Sequence, residues 1–189
     1  VLVSTAKGAS AGEYTRPRPC YICKQDYTVV DAFSHQLCPS CAAVSHARRD
    51  ARTDLTGRRA LLTGGRSKIG MYIALRLLRD GAHTTITTRF PRDSAARYAQ
   101  EPDFGEWGHR LEVFGLDLRH TPSVEAFCHE LIGKLPRLDF IINNACQTVR
   151  RPPEFYAHMM DAETAALHDT PEDVRKLLDV LHRLVDQGN

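Results

Sequence analysis

Four cysteines stand in two pairs near the N-terminus, Cys20-Tyr-Ile-Cys23 and Cys38-Pro-Ser-Cys41, with 14 residues between the pairs. Each Cys-x-x-Cys turn presents two thiolates from one knuckle, and two such turns complete the tetrahedral four-sulfur shell of a structural Zn²⁺. A full shell leaves no open position, so the expected chemistry is stapling and not catalysis. The segment between the pairs, Lys24 to Leu37, is too short to bury a core of its own, which is the usual reason for a metal. Two readings compete with it: four free thiols in a loop, and His35 in place of one sulfur. A two-zinc RING needs about eight ligands, more than four cysteines, His35 and His46 supply. Cys128 and Cys146 lie apart in the later region. With no secretion signal in the chain, this grouping favours metal over disulfides.

A second set of residues suits a phosphate. The stretch Thr63-Gly64-Gly65-Arg66-Ser67-Lys68-Ile69-Gly70 follows the apolar run Ala60-Leu61-Leu62 and precedes Met71 to Arg79, apolar mainly on one helical face. Strand, glycine turn and helix together aim backbone N–H groups and a helix N-terminus at an anion. A glycine turn alone is weak evidence, so the elements around it must supply the context.

They alternate. Strand one is read as Arg59–Thr63, with a helix from Lys68 to Asp80 closed by Gly81. Strand two is His83–Thr88, rich in β-branched residues, followed by the loop Arg89 to Asp93 and a short helix from Ser94 to Gln100. Strand three is Leu111–Leu116. The next helix opens with Thr121 as N-cap and Pro122 at the first helical position, and ends before Pro136. Strand four is Leu138–Asn143. This order predicts an α/β fold, a doubly wound parallel sheet of Rossmann-like type with helices on both faces. The sheet reads as incomplete, and a small N-terminal zinc module precedes it. A short helix is expected over Glu154–Met160. A longer one starts at Thr170-Pro171-Glu172-Asp173 and carries Val174, Leu177, Leu178, Leu181, Leu184 and Val185 on one face up to Gln187, where Gly188 stops it. That face is expected to pack on the sheet or on another subunit.

The organisation expected along the chain is a flexible leader over 1–19, the zinc module over 20–46, a linker over 47–58, the dinucleotide-binding domain over 59–152 and a helical segment over 153–189. The last is acidic, with three basic residues against eight acidic ones, whereas the chain as a whole carries a net charge of +2. A charge so close to neutral argues against a general nucleic-acid binder. Arg48, Arg49, Arg52 and Arg58 form a basic run, but Asp50 and Asp54 interrupt it, as in a solvated linker face. No apolar run approaches the ~20 residues of a membrane span, and the small polar N-terminus lacks a signal-peptide core. A cytoplasmic location is expected.

Residues 55–150 resemble the cofactor half of a short-chain dehydrogenase/reductase. The family's first motif has Thr-Gly, three residues, then Gly-x-Gly; here Thr63, Gly64, Ile69 and Gly70 match and Lys68 stands at the middle glycine. Arg66 and Ser67 fill the turn. Asp117-Leu118 matches the family's acidic residue after strand three, which implies a contact with the adenine amino group. Asn143-Asn144-Ala145-Cys146 is similar to the family's Asn-Asn-Ala-Gly, with Cys146 for the glycine, and implies a place beside the nicotinamide. Three motifs in order, each at the carboxyl end of an expected strand, are far more specific than one glycine turn.

The cofactor follows from the end of strand two. NAD-binding folds place a carboxylate there for the ribose hydroxyls, ~20 residues after the glycine turn. This chain offers Arg89 and no acid until Asp93. Arg89 suits a 2′-phosphate, with Arg66 and Arg92 as assistants, so NADP is expected over NAD. The family's catalytic Tyr-x-x-x-Lys is absent: no lysine follows any of the six tyrosines at that spacing. The catalytic residues are therefore unknown, and whether this polypeptide turns anything over is open. Two functions are expected to compete. One is an NAD(P)-dependent oxidoreductase, exchanging hydride between nicotinamide and a carbonyl or alcohol, of which this is a truncated N-terminal portion. The other is a catalytically silent nucleotide-binding regulatory or zinc-module adaptor protein. Its partner, or a second copy of the chain, would meet the zinc module or the tail helix.

Overall fold

The computed structural model describes residues 6, 8–146, 151–165 and 167–178. The chain divides into two compact units, Val1–Thr53 and Asp54–Asn189.

In the first unit, β1 (Ser10–Pro19) pairs antiparallel with β2 (Asp26–Asp31), Ser10 opposite Asp31 and Pro19 opposite Asp26. The leader expected to be flexible is thus a strand from Ser10 onward. Its residues are mostly exposed, so backbone pairing and not an apolar face holds it. Helix α1 (Pro39–Asp50) begins on the second cysteine pair, with Pro39 in its first turn and no N–H lost there. It also takes in residues 47–50 of the expected linker. The small core is Cys20, Tyr27 and Cys38. The Tyr27 and Tyr14 hydroxyls both donate to the His35 carbonyl, at 2.6 and 3.0 Å. Asp31 is buried; it accepts backbone N–H bonds from Phe33 and Ser34 and lies 3.0 Å from His46 Nε2.

The second unit runs β3 (Arg59–Thr63), α2 (Lys68–Arg79), β4 (His83–Thr88), α3 (Pro91–Ala99), α4 (Phe104–Trp107), β5 (Leu111–Gly115), α5 (Thr121–Lys134) and β6 (Phe140–Asn143). The four strands pair in parallel in the order β5-β4-β3-β6. Alternation along each strand sends side chains to two faces. On one face Leu62, Ile86 and Val113 pack under Ala74, Leu75 and Leu78 of α2 and Ala95 and Tyr98 of α3. On the other, Phe114 and Leu116 pack against Phe127 and Leu131 of α5, with Leu61 alongside. Both layers of the expected doubly wound sheet are therefore present. β6 forms an edge, where Ile141 is 63% exposed.

Helix starts moved by a few residues. α3 begins at Pro91 and not Ser94, because proline's fixed φ suits a first turn. His120, and not Thr121, is the N-cap of α5, with its Nδ1 2.6 Å from Ser123 Oγ. A 3₁₀ turn (Pro153–Tyr156) leads into α6 (Ala157–Thr164). α7 (Glu172–Leu177) ends well short of Gln187, and Leu178 turns extended to form a parallel bridge with Val113 of β5. Val174, Leu177 and Leu178 do pack into the core as expected. Leu181, Leu184, Val185 and Gln187 lie outside the described residues.

Candidate functional site

The carboxyl ends of β3, β4 and β5 open on a cleft of about 630 Å³. Gly64, Arg66, Ser67, Lys68, Ile69 and Gly70 line one side, Arg89 and Phe90 the end of β4, Asp117, Leu118 and Arg119 the end of β5, and Asn144, Ala145 and Cys146 the far side.

The glycines are needed for contact, not only for turning. A Cβ on Gly70 would sit 2.1 Å from the Gly64 carbonyl oxygen and 2.7 Å from Asn144 Nδ2. A Cβ on Gly65 would meet Ile86 at 2.7 Å, and one on Gly64, at φ +73°, would meet Ala145 Cα at 2.9 Å. Lys68 stands where a glycine is usual and has kept the glycine conformation: its φ is 53°. That left-handed backbone costs a side-chain-bearing residue roughly 1–2 kcal/mol. Ser67 is the N-cap of α2 but makes no side-chain cap bond, and no acidic residue occupies the first turn. The first amides of α2 and its dipole are left to serve an anion.

Thr63 and Asn143 do not line the cleft. Thr63 holds its far side: Oγ1 accepts the backbone N–H groups of Asn144 and Ala145 at 3.1 and 3.0 Å. Asn143 ends β6 in register with Thr63. Asn144 returns the bond from its side chain, which donates to the carbonyls of Thr63 and Gly64.

The arginines divide by role. Arg89 lies at the cleft mouth, its Nη2 3.3 Å from the Tyr156 hydroxyl. Arg66 is held by Asp93, at 2.7 Å. Arg92, expected to assist at a 2′-phosphate, is 3% exposed and turned away, donating to the carbonyls of Ala162 and Ala165. Asp117 grips Arg119 through both carboxylate oxygens, and this pairing holds its acid down at about 2. The carboxylate expected at the adenine is therefore partly engaged already.

Arg119 and Tyr156 line the cleft and were missed by the sequence reading. Arg119 carried a signal, an arginine two residues after the acid. Tyr156 reaches the cleft only through tertiary contact. Glu163 accepts the backbone N–H groups of Arg92 and Asp93 at 3.0 and 2.9 Å, capping α3. Burial pushes its carboxyl above the usual range.

In the first unit the sulfurs of Cys20, Cys23, Cys38 and Cys41 all lie within 4.8 Å of one another, and none is in a disulfide. Cys23 and Cys38 are 3.7 Å apart, close to the edge of about 3.8 Å that a tetrahedron with 2.3 Å zinc–sulfur bonds requires. Burial raises the Cys20 thiol, but backbone N–H groups of Cys38, Cys23 and Ile22 overcome it and bring it down to about 6. Cys41 is pushed up to about 12, first by its contact with Cys38. The donor set and spacing fit a single tetrahedral cation.

Residues 58–170 match the family model described as short chain dehydrogenase. The chain belongs to this family. The short chain dehydrogenase match takes in β3 to α6 and every residue of the cleft, and it excludes the cysteine unit. Among curated proteins the chain is 41% identical over 141 residues to uncharacterized protein R665 of Acanthamoeba polyphaga mimivirus, covering 71% of this chain and 30% of that one. It is 27% identical over 140 residues to a fatty acyl-CoA reductase of Acinetobacter baylyi, covering 73% of this chain and 46% of that one. The chain thus spans less than half the length of either relative. A solved gluconate 5-dehydrogenase from Burkholderia cenocepacia, in complex with NADP and tartrate, overlays with a TM-score of 0.44 at 26% identity, over 65% of this chain and 49% of that one. As a family, short chain dehydrogenases are nicotinamide-dependent oxidoreductases. No helix of the described residues is long and apolar enough to cross a membrane.

Proposed function

We propose that this chain supplies the cofactor half of an NADP-dependent oxidoreductase that exchanges hydride between nicotinamide and a carbonyl or alcohol. The observation that carries it is the end of β4, where Arg89 faces the cleft and the next acid along the chain, Asp93, is spent on Arg66 and Arg97. A ribose 2′-hydroxyl finds no free carboxylate on this loop, whereas a 2′-phosphate finds a guanidinium. The turn Ser67–Gly70 and the N-terminus of α2 would hold the pyrophosphate. Leu118 and Asp117 would flank the adenine, and Asn144, Ala145 and Cys146 the nicotinamide side. The cofactor, when bound, supplies the hydride chemistry; these residues orient it. Fluorescence titration with NADPH and NADH tests this. NADPH is expected to bind at least tenfold tighter, and tighter NADH binding overturns the preference.

The four thiols of the first unit are assigned to one structural zinc ion, held by Cys20, Cys23, Cys38 and Cys41. Metal analysis is expected to give one zinc per chain, falling in Cys20→Ser and Cys41→Ser; a wild-type ratio far below one refutes it. A four-thiolate metal site also suits the cytoplasm.

A further inference from the structure

The residues that hold Arg89 in place come from outside the motifs that define the cleft. Arg89 Cζ lies 5.0 Å from the centroid of the Tyr156 ring and 5.5 Å from that of Phe90, and those two rings sit 5.2 Å apart at 31°. The Tyr156 hydroxyl accepts from Arg89 Nη2 at 3.3 Å. Tyr156 also lines the cleft itself.

Tyr156 is fixed there from both flanks. The ring of Phe155 meets it edge-on at 5.2 Å. Past it in the chain, α6 is fastened to the N-terminus of α3 by Glu163, which accepts the N–H groups of Arg92 and Asp93, and by the Arg92 guanidinium on the carbonyls of Ala162 and Ala165.

We propose that Tyr156 is a specificity-determining residue that reads the adenosine 2′-phosphate together with Arg89; this rests on the NADP reading above. Two physical effects combine. The hydroxyl oxygen accepts from Arg89, so its own proton remains to donate to a phosphate oxygen. The two ring faces also order the Arg89 side chain before the ligand arrives, so less rotamer entropy is lost on binding. A guanidinium has five N–H donors, and the bond to Tyr156 uses one, leaving the rest for a dianion.

The test compares 2′,5′-ADP with 5′-ADP by calorimetry, on wild type and Tyr156→Phe. Wild type is expected to prefer 2′,5′-ADP. Tyr156→Phe keeps the ring and loses the donor, and should cut that preference about tenfold, the order expected for a hydrogen bond to a charged group. The affinity for 5′-ADP should hardly move. Glu163→Gln, which loosens the fastening without touching the ligand, should lower the preference by a smaller factor. If wild type shows no preference, the NADP reading falls and this proposal with it. If wild type prefers 2′,5′-ADP and Tyr156→Phe keeps the full preference, or weakens both ligands equally, this proposal alone is overturned.

Discussion

The side-chain amide of Asn144 donates to the carbonyl of Gly64 at 3.1 Å, spanning 80 residues of sequence. Gly70 packs into the same corner, with room for no Cβ against either partner. One small space thus joins the first glycine of the turn, the first helical turn and the end of β6.

Gly70→Ala is therefore expected to destabilise the protein by about 1–3 kcal/mol, as overpacking of a tight site does. Asn144→Ala empties the corner and leaves the Gly64 carbonyl short of a donor, at a cost of about 1–3 kcal/mol. Urea unfolding checks both. The two changes share one contact, so the double variant should lose less than the sum of the singles.

Lys68→Gly should act in the opposite direction. The backbone φ of 53° is one that glycine adopts freely. Relief of that strain, less the extra entropy of an unfolded glycine, predicts a gain of about 0.5 kcal/mol. A lower thermal midpoint for the variant would count against the left-handed assignment.

Asp139 gives a pH signature. Its carboxylate accepts the Arg59 backbone N–H at 2.8 Å and pairs with Arg58 at 3.0 Å, and these hold its acid below the ordinary 3.8. A depressed folded-state acid contributes stability above its unfolded value and loses it as pH falls. Wild type should exceed Asp139→Asn in thermal midpoint near pH 7, with the gap closing below about pH 4. A gap independent of pH would assign the effect to shape and not to charge.

The Tyr98 hydroxyl donates to the Gly65 carbonyl at 2.6 Å in a fully buried setting. Tyr98→Phe leaves that carbonyl short of a donor beneath the turn. A loss of about 1–2 kcal/mol is expected, read by denaturant titration.

The sheet was legible because its strands are punctuated. Arg59–Thr63 and His83–Thr88 emerge with the expected bounds, each an apolar or β-branched run closed by charge and glycine. The cleft motifs were legible for the same reason: short turns at strand ends have few conformational choices. β1 was not, since Ser10–Pro19 has no apolar face and owes its form to the β2 backbone. Arg92 was misplaced because nothing local shows that Ala162 and Ala165 would claim it. Tyr156 could not be assigned for a similar reason: its partner Arg89 is 67 residues away.

The parallel pairing of β6 with β3 has a kinetic consequence. Ala60 meets Phe140 and Thr63 meets Asn143, so this pair closes only after about 80 intervening residues have been gathered in, and such distant pairings form slowly. Until then the Gly64 and Thr63 carbonyls lack the Asn144 amide that sets their direction. The turn that opens the cleft is thus among the earliest residues of its unit to be synthesised and among the last to acquire its shape. A ligand that needs that shape can capture the chain only after the far strand has docked.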